Sequence, residues 1–253
     1  MKLIVNSDDF GYSRGHNYGI VDCYLAGILT ATTLMNNQPA TEQAYALAKE
    51  HPGLDVGIHF VLTHGRPLAP AEKIPSLVNE DGSFLCLDDL REGIVNPEEV
   101  YYEWSLQLAR QIDNGILPSH ADSHHHVHMA PELFPIFCRL AAENNLAIRF
   151  FDDLVPADQA EWYAQKRQQF KQADLFRGDF YAEKVSFDYF KTLPLREDIS
   201  VEVMAHPAYL DQRINQTSSY NLERVMETAV LTDPALKEFL VGEQVKLISF
   251  KDL

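Results

Sequence analysis

The sequence is poor in cysteine and in long apolar runs. Its 253 residues include three cysteines, Cys23, Cys86 and Cys138. An odd number of widely spaced cysteines in apolar stretches predicts buried thiols in a reducing compartment, without disulfides. No apolar run approaches the roughly 18 residues of a membrane span, and the N-terminus turns polar too early for a signal peptide. We therefore expect a cytoplasmic protein.

Positive charge is also scarce. The chain has 21 Lys and Arg against 37 Asp and Glu, which gives a net charge of −16. Since no basic cluster is long enough to follow a phosphate backbone, neither nucleic acid nor a membrane is an expected partner. The content of 46% hydrophobic residues is typical of a globular chain. We find no linker or internal repeat, so we expect residues 1–253 to form a single domain.

Short β-type runs alternate with helical patterns, which predicts βαβ units around a mostly parallel sheet. The predicted strands span residues 3–6, 31–35, 56–60, 119–124, 147–150, 201–205 and 245–250, and the predicted helices 13–26, 41–50, 97–114 and 131–143. Polar residues at the strand ends favour a single-domain α/β fold, an irregular (β/α) barrel with about seven parallel strands, over an open doubly wound sheet. Segments 63–88 and 152–194 are expected to be long loops or lids.

Histidine is concentrated in one segment. Five of the ten histidines fall within nine residues, with Asp122 among them. On a strand, His120, Asp122, His124 and His126 would share one face and point towards one end of a barrel. The plain alternative is a solvated loop. A zinc-protease helix is excluded, because that motif needs Glu directly after its first His, where this chain has His125.

The segment Asn6-Ser7-Asp8-Asp9-Phe10-Gly11 closes the first predicted strand with two adjacent carboxylates. Active sites of parallel α/β folds lie at such strand ends. Neighbouring carboxylates repel each other, and a cation or a shared proton usually compensates. The alternative is that Asp9 or Ser13 only caps the following helix.

Two more histidines stand where predicted strands end, His59 in Gly57-Ile58-His59-Phe60 and His206 in Met204-Ala205-His206-Pro207. A lone histidine at such a position is more often a hydrogen-bonded core residue than a ligand. Four Asp or His signals at strand ends would nevertheless converge on one mouth of a barrel. One carboxylate and two imidazoles suit a divalent metal that activates water, with a histidine titrating near neutral pH to protonate a leaving amine.

These four segments, in their order along the chain, resemble the YdjC-like carbohydrate deacetylases, most closely their chitooligosaccharide deacetylases. Further similarity runs through residues 19–20, 27–30, 60–63 and 129–135, while 69–117 and 151–196 match poorly. The resemblance implies a (β/α) barrel-like fold, often dimeric, so we expect a homodimer that acts on a short oligosaccharide. Carried over to this chain, it implies Asp9, His59 and His124 as metal ligands, Asp8 as the catalytic base and His206 as the proton donor.

The implied cofactor is one divalent metal ion, magnesium or zinc, and cobalt, nickel or manganese also suit this donor set. By analogy Arg149 would orient Asp8, while His126 and His128 would fix imidazole tautomers or contact substrate. The predicted reaction removes an N-acetyl group from a diacetylchitobiose-type substrate and releases acetate. Asp8 would deprotonate a water on the metal, and His206 would protonate the leaving amine.

Three alternatives stay open at this point. Another metal hydrolase on the same barrel could act on a phosphate ester or a different amide, but only Arg14 and Arg149 lie near the motifs to bind phosphate. A 2-His-1-carboxylate iron oxygenase usually has an all-β fold. A non-catalytic sugar-binding or metal-binding module would have no use for Asp8 beside Asp9 or for a separate acid at His206.

Overall fold

Strands and helices alternate through most of the computed structural model, which describes residues 1–253. The strands are β1 (Lys2–Phe10), β2 (Ala31–Leu34), β3 (Asp55–Phe60), β4 (His120–Ser123), β5 (Ala147–Ile148), β6 (Leu175–Arg177), β7 (Ser200–Ala205) and β8 (Lys246–Leu247). The α-helices are α1 (Arg14–Ala26), α2 (Thr41–Glu50), α3 (Leu87–Glu92), α4 (Pro97–Asp113), α5 (Phe134–Glu143), α6 (Ala160–Arg167), α7 (Gln212–Thr217), α8 (Leu222–Leu231) and α9 (Pro234–Gly242).

All strand pairs are parallel, in the order β5-β4-β3-β2-β1-β7-β6. The short β8 lies beside the first residues of β1. Because β5 and β6 are both edges of this path, the seven strands form a curled half-barrel with the helices around it. The predicted barrel-like α/β fold with about seven parallel strands is confirmed.

Apolar side chains pack the half-barrel in three clusters, and buried polar residues such as Asn6, Thr33 and Asp122 lie among the strands. Two large clusters of buried residues pack the helices onto the sheet. A small cluster joins β1, β2, β5 and the chain after β8: Ile4, Ala31, Ala147, Ile248 and Phe250. The ring of His120 stacks on Phe250, with centroids 3.7 Å apart, and Nε2 lies 3.0 Å from Asn6 Oδ1. His120 is therefore a packed residue below the strand ends.

Local sequence signals account for several helix boundaries. Ser13 caps α1 by accepting the backbone N–H of His16, so the capping role considered for this residue is confirmed. Asn96 caps α4 in the same way, and Pro97 occupies the first turn.

Several predicted features differ in the structure. The segment 152–194 contains β6 and α6, helices α7 to α9 follow β7, and the last predicted strand shrinks to Lys246–Leu247. The strand predicted over 119–124 ends at Ser123, because His124–Met129 forms a 3₁₀ segment. Cys86 is exposed, so the expectation of three buried thiols is wrong for this residue. No helix combines the length and the apolar content that a membrane crossing requires.

Candidate active site

The two adjacent aspartates of β1 face the same cavity because the strand kinks between them. Regular alternation would send Asp8 and Asp9 to opposite faces. Asp9 instead has a φ of +66°, in the left-handed region that aspartate tolerates, and the register of β1 against β2 shifts between Ser7 and Phe10. This bulge re-aims one side chain, so both carboxylates line one cavity.

The three predicted metal ligands converge around one oxygen of Asp9. His59 Nε2 lies 3.4 Å and His124 Nδ1 lies 3.1 Å from Asp9 Oδ1, and one ligand atom from each residue lies within 4.8 Å of the others. Asp9 Oδ1 is buried and has no hydrogen-bond partner. A buried carboxylate oxygen without a partner is costly, and a cation bound by these three atoms would compensate it. The donor set therefore fits a divalent metal.

Asp122 orients His59 from behind. His59 Nδ1 donates to Asp122 Oδ1 over 2.6 Å, and the hydroxyl of Thr33 donates to Asp122 Oδ2 over 3.0 Å. With its Nδ1 proton donated to Asp122, His59 presents Nε2 to the position beside Asp9 Oδ1 where a cation would bind, the usual arrangement behind a metal-ligating histidine. Burial alone would lower the pKa of His59, but the neighbouring carboxylates raise it to about 10, so a metal ion bound here would displace a proton from Nε2.

Arg149 neutralises the second carboxylate. Its Nη1 and Nη2 atoms each donate to Asp8 over 2.7 Å, Nη1 also lies 2.8 Å from Asp122, and Nε donates to Glu202. Burial would raise the pKa of Asp8, but the guanidinium outweighs burial and holds this pKa well below its usual range. The position of Arg149 agrees with the expectation that it orients Asp8. Asp8, Asp122 and His59 form a second possible metal-binding group, but its two carboxylates are already paired with the guanidinium of Arg149.

His206 directly follows β7 and lies near Asp8. Its Nε2 lies 4.0 Å from Asp8 Oδ2, its Nδ1 is buried without a hydrogen-bond partner, and its backbone N–H donates to Glu227. Burial lowers the pKa of His206 to about 4. This pKa is below the near-neutral value expected from the sequence, because the protein keeps the imidazole largely out of water.

The remaining histidines of the cluster separate into two kinds. His125 and His126 line the cavity, and both have left-handed backbone conformations, with φ of 56° and 53°. Such strain is costly and is found preferentially at functional sites. His128 is buried under the turn, where its Nδ1 lies 2.7 Å from Ser123 Oγ. His126 thus lies where it can contact substrate, whereas His128 supports the turn.

Sequence reasoning missed several residues of the site. Arg224 Nη2 lies 3.3 Å from Asp9 Oδ2, and Arg14, which was considered instead, is exposed. His64 lies beside His124, with ring centroids 5.8 Å apart. His64 follows the end of β3, a position from which it could have been found, but Arg224 lies on α8 and has no strand-end signal. The cavity has a volume of about 370 Å³ and is also lined by Tyr12, Tyr181, Met204, Thr217, Ser218, Ser219 and Tyr220.

The sequence of this chain is similar to those of known proteins. A family profile described as YdjC-like protein matches residues 2–241. The chain is 43% identical to a carbohydrate deacetylase of Geobacillus stearothermophilus, over 98% of this chain and 96% of that protein. It is 39% identical to a carbohydrate deacetylase of Brevibacillus brevis over the full length of both.

Structure comparison gives one near and one distant neighbour. A protein of Enterococcus faecalis V583, described as a candidate for cellobiose-phosphate cleavage, is 30% identical with a TM-score of 0.91, covering 99% of this chain and 98% of that one. A family 4 carbohydrate esterase of Streptomyces lividans, solved with acetate, covers 99% of this chain and 94% of that one, with a TM-score of 0.54 at 12% identity, so it shares the fold alone.

Proposed function

Since this chain belongs to the YdjC-like protein family, we propose that it is a carbohydrate deacetylase that removes an N-acetyl group from short chitin-type oligosaccharides with one divalent ion. The observation that carries the proposal is the grouping of Asp9, His59 and His124 beside a separate carboxylate, Asp8, and a separate imidazole, His206, in one cavity. A site that only held a metal would need no such neighbours. The homodimer and the cytoplasmic location stay predictions.

Asp9, His59 and His124 would hold the ion. A divalent ion in this position would lower the pKa of a water molecule and polarise the acetyl carbonyl. Magnesium and zinc are both compatible with one carboxylate and two imidazoles, as are cobalt, nickel and manganese. Asp122 and Thr33 keep His59 in the tautomer that leaves Nε2 free.

Asp8 would accept the proton of the attacking water at Oδ2. Oδ1 accepts from Arg149 and from the side chain of Asn6, whereas Oδ2 accepts from Arg149 alone and faces His206. Because the pKa of Asp8 is held low, the carboxylate is ionised and able to accept throughout the neutral range. It is a weak base, so a proton on Oδ2 is easily passed on.

His206 would deliver a proton to the leaving nitrogen. With a pKa of about 4 the imidazole is neutral near pH 7, so it cannot rely on a proton taken from solvent beforehand. The 4.0 Å between its Nε2 and Asp8 Oδ2 is longer than a hydrogen bond, so a bridging water would carry the proton from Asp8 to the imidazole, which would then pass it to the amine within one turnover. One proton thus moves from the water oxygen to the nitrogen as the C–N bond breaks, which gives acetic acid and a free amine. The second proton of the water leaves as the acid ionises, so the products near pH 7 are acetate and the protonated amine.

The alternative is another metal-dependent hydrolase on the same barrel, acting on a different amide or on a phosphate ester. The description of the Enterococcus faecalis protein names cellobiose phosphate, which makes a phosphorylated disaccharide the substrate to test for this alternative. In this chain, however, the arginine that lines the cavity, Arg224, already pairs with Asp9 and donates to the carbonyl of Tyr220. A non-catalytic sugar-binding or metal-binding module is the third possibility.

The deciding experiment measures acetate release from diacetylchitobiose by protein reconstituted with each of the five metals in turn. We expect acetate with at least one metal, and none from the His124→Ala protein under the same conditions. A phosphorylated disaccharide serves as comparator, with phosphate release measured in parallel. Phosphate without acetate, or no acetate with any metal, would overturn the deacetylase assignment.

A further inference from the structure

We propose that Tyr181 and Tyr220 form a stacking platform for the sugar ring that carries the acetyl group, an inference that rests on the proposed function. The two rings are parallel, with centroids 4.0 Å apart and an interplanar angle of 9°. Tyr220 is buried, whereas Tyr181 is 43% exposed, and both line the cavity that contains the aspartates and histidines. Since Tyr220 covers one face of Tyr181, the accessible area of Tyr181 lies on its other face and its edge.

Three contacts hold the buried ring of the platform, Tyr220, in place. The hydroxyl of Tyr220 donates to Glu227 Oε1 over 2.5 Å and accepts the backbone N–H of Ala182 over 3.1 Å. The guanidinium of Arg224 lies over the ring of Tyr220, with its central carbon 5.5 Å from the centroid. These contacts fix the buried ring before any ligand arrives, so little ordering of it is left to offset binding.

The same carboxyl group also fixes the proton donor. Glu227 accepts the backbone N–H of His206 with its other oxygen. The imidazole meets both tyrosine rings edge-on, with centroids 6.1 Å from each and interplanar angles of 78° and 74°. A sugar ring stacked on Tyr181 is therefore held beside His206. In that position its acetamido nitrogen can receive the proton, and such positioning of reacting groups is a large part of catalysis.

The chemistry of the platform defines the sugar it would take. A pyranose with all its substituents equatorial presents axial C–H groups on both faces, and these pack well on an aromatic ring. An axial hydroxyl, as in the galacto configuration, interrupts one of those faces with a polar group. The platform therefore accepts either face of a gluco-configured 2-acetamido sugar, whereas a galacto sugar can stack only its uninterrupted face. Tyr181 is thus a positioning and specificity residue that acts through stacking.

Exposed tyrosines are common on protein surfaces and usually need no explanation. Tyr18 on α1 is 44% exposed, almost the same as Tyr181, but it does not line the cavity. It provides the matched control. Three variants test the platform: Tyr181→Ala removes the ring, Tyr181→Phe keeps the ring without its hydroxyl, and Tyr18→Ala removes an equally exposed ring elsewhere.

The experiment measures kcat and KM for diacetylchitobiose and for vinyl acetate, which has no ring to stack. Loss of one aromatic stack is expected to raise KM of Tyr181→Ala for the disaccharide about two- to tenfold. Tyr181→Phe and Tyr18→Ala should stay near the wild-type value, and vinyl acetate hydrolysis should be unchanged in all three. We also expect wild type to prefer the gluco over the galacto disaccharide, and Tyr181→Ala to lose part of that preference.

A binding measurement separates failure of the platform from failure of the proposed function. Calorimetric titration of wild type and Tyr181→Ala with the fully deacetylated glucosamine disaccharide, which has no acetyl group left to remove, reports stacking without turnover. Weaker binding by Tyr181→Ala supports the platform even if wild type releases no acetate, a result that would overturn only the deacetylase assignment. Unchanged binding and unchanged KM in Tyr181→Ala, or an equal defect with vinyl acetate, would overturn the platform while leaving that assignment intact.

Discussion

Replacing His206 by alanine separates proton donation from metal binding. The backbone N–H of residue 206 would still donate to Glu227, so the end of β7 keeps its anchor and the variant should fold. Loss of a side chain that is 14% exposed should lower the free energy of unfolding by about 1 to 3 kcal/mol. The metal content should be unchanged, because Nε2 lies towards Asp8 and not among the three ligand atoms.

For the amide substrate we expect kcat of His206→Ala to fall about 10²- to 10⁴-fold, the usual contribution of a positioned acid, which corresponds to about 3 to 5 kcal/mol. An activated acetyl ester, whose leaving group needs little protonation, should be spared most of this loss. The assay compares acetate release from diacetylchitobiose and from vinyl acetate, alongside elemental analysis of the protein. Equal impairment on both substrates, or loss of the metal, would show that His206 is not the donor.

The pH profile offers a second test of the same residue. Because burial lowers the pKa of His206 to about 4, the imidazole loses its proton as the pH rises through about 4 and is neutral above about pH 5. The wild-type profile should therefore show no alkaline limb near pH 6 to 7 that disappears in His206→Ala. Such a limb would mean that His206 enters the reaction already protonated, and the internal proton transfer from Asp8 would be wrong.

Three further predictions concern neighbouring groups. Asp8→Asn should keep its metal and lose activity about 10²-fold or more, whereas Asp9→Asn should lose metal affinity because it removes the ligand oxygen; metal contents in the reverse order would refute this division. His124→Ala should lose both the divalent ion and activity, and full activity in a metal-free His124→Ala protein would contradict the ligand set. Burial raises the pKa of Glu227 to about 8, so its contribution to stability is complete below about pH 4.3 and is lost as the pH rises through about 8. Glu227→Gln should therefore reduce the fall in the free energy of unfolding between pH 5 and 9, measured by denaturant titrations at several pH values. An equal fall in the variant and in wild type would show that another group causes it.

The residues predicted from the sequence are those that a local pattern marks. His59 and His206 stand where apolar runs stop, so alternation of strands and helices was enough to bring them to one edge of the sheet. The pair Asp8 and Asp9 was marked in the same way. The direction of Asp9 was not predictable, because it depends on a register shift against β2, a strand that begins more than twenty residues later.

Long-range contacts account for the features that sequence reasoning missed. The three residues of β6 are too short to show a period, and they form a strand only because β7 pairs with them. Glu227 and Arg224 lie on α8, whose place beside β7 is set by packing of the whole layer. His120 fits the strand pattern as well as Asp122 does, but its neighbour Phe250 comes from the far end of the chain.

The kink at Asp9 couples the positions of the two aspartates, so the first eleven residues can change only together. The proposed base, Asp8, and the proposed ligand, Asp9, are adjacent in the chain. The backbone N–H of Gly11, which follows the kink, donates to the side chain of Asn17 over 2.7 Å. A one-residue insertion or deletion in β1 would therefore move both carboxylates at once, and neither role could drift to another position independently. Transfer of this site to another barrel would require the bulge as well, together with an arginine equivalent to Arg149, which follows β5. The spacing that makes the chemistry possible is thus also what limits how this part of the protein can change.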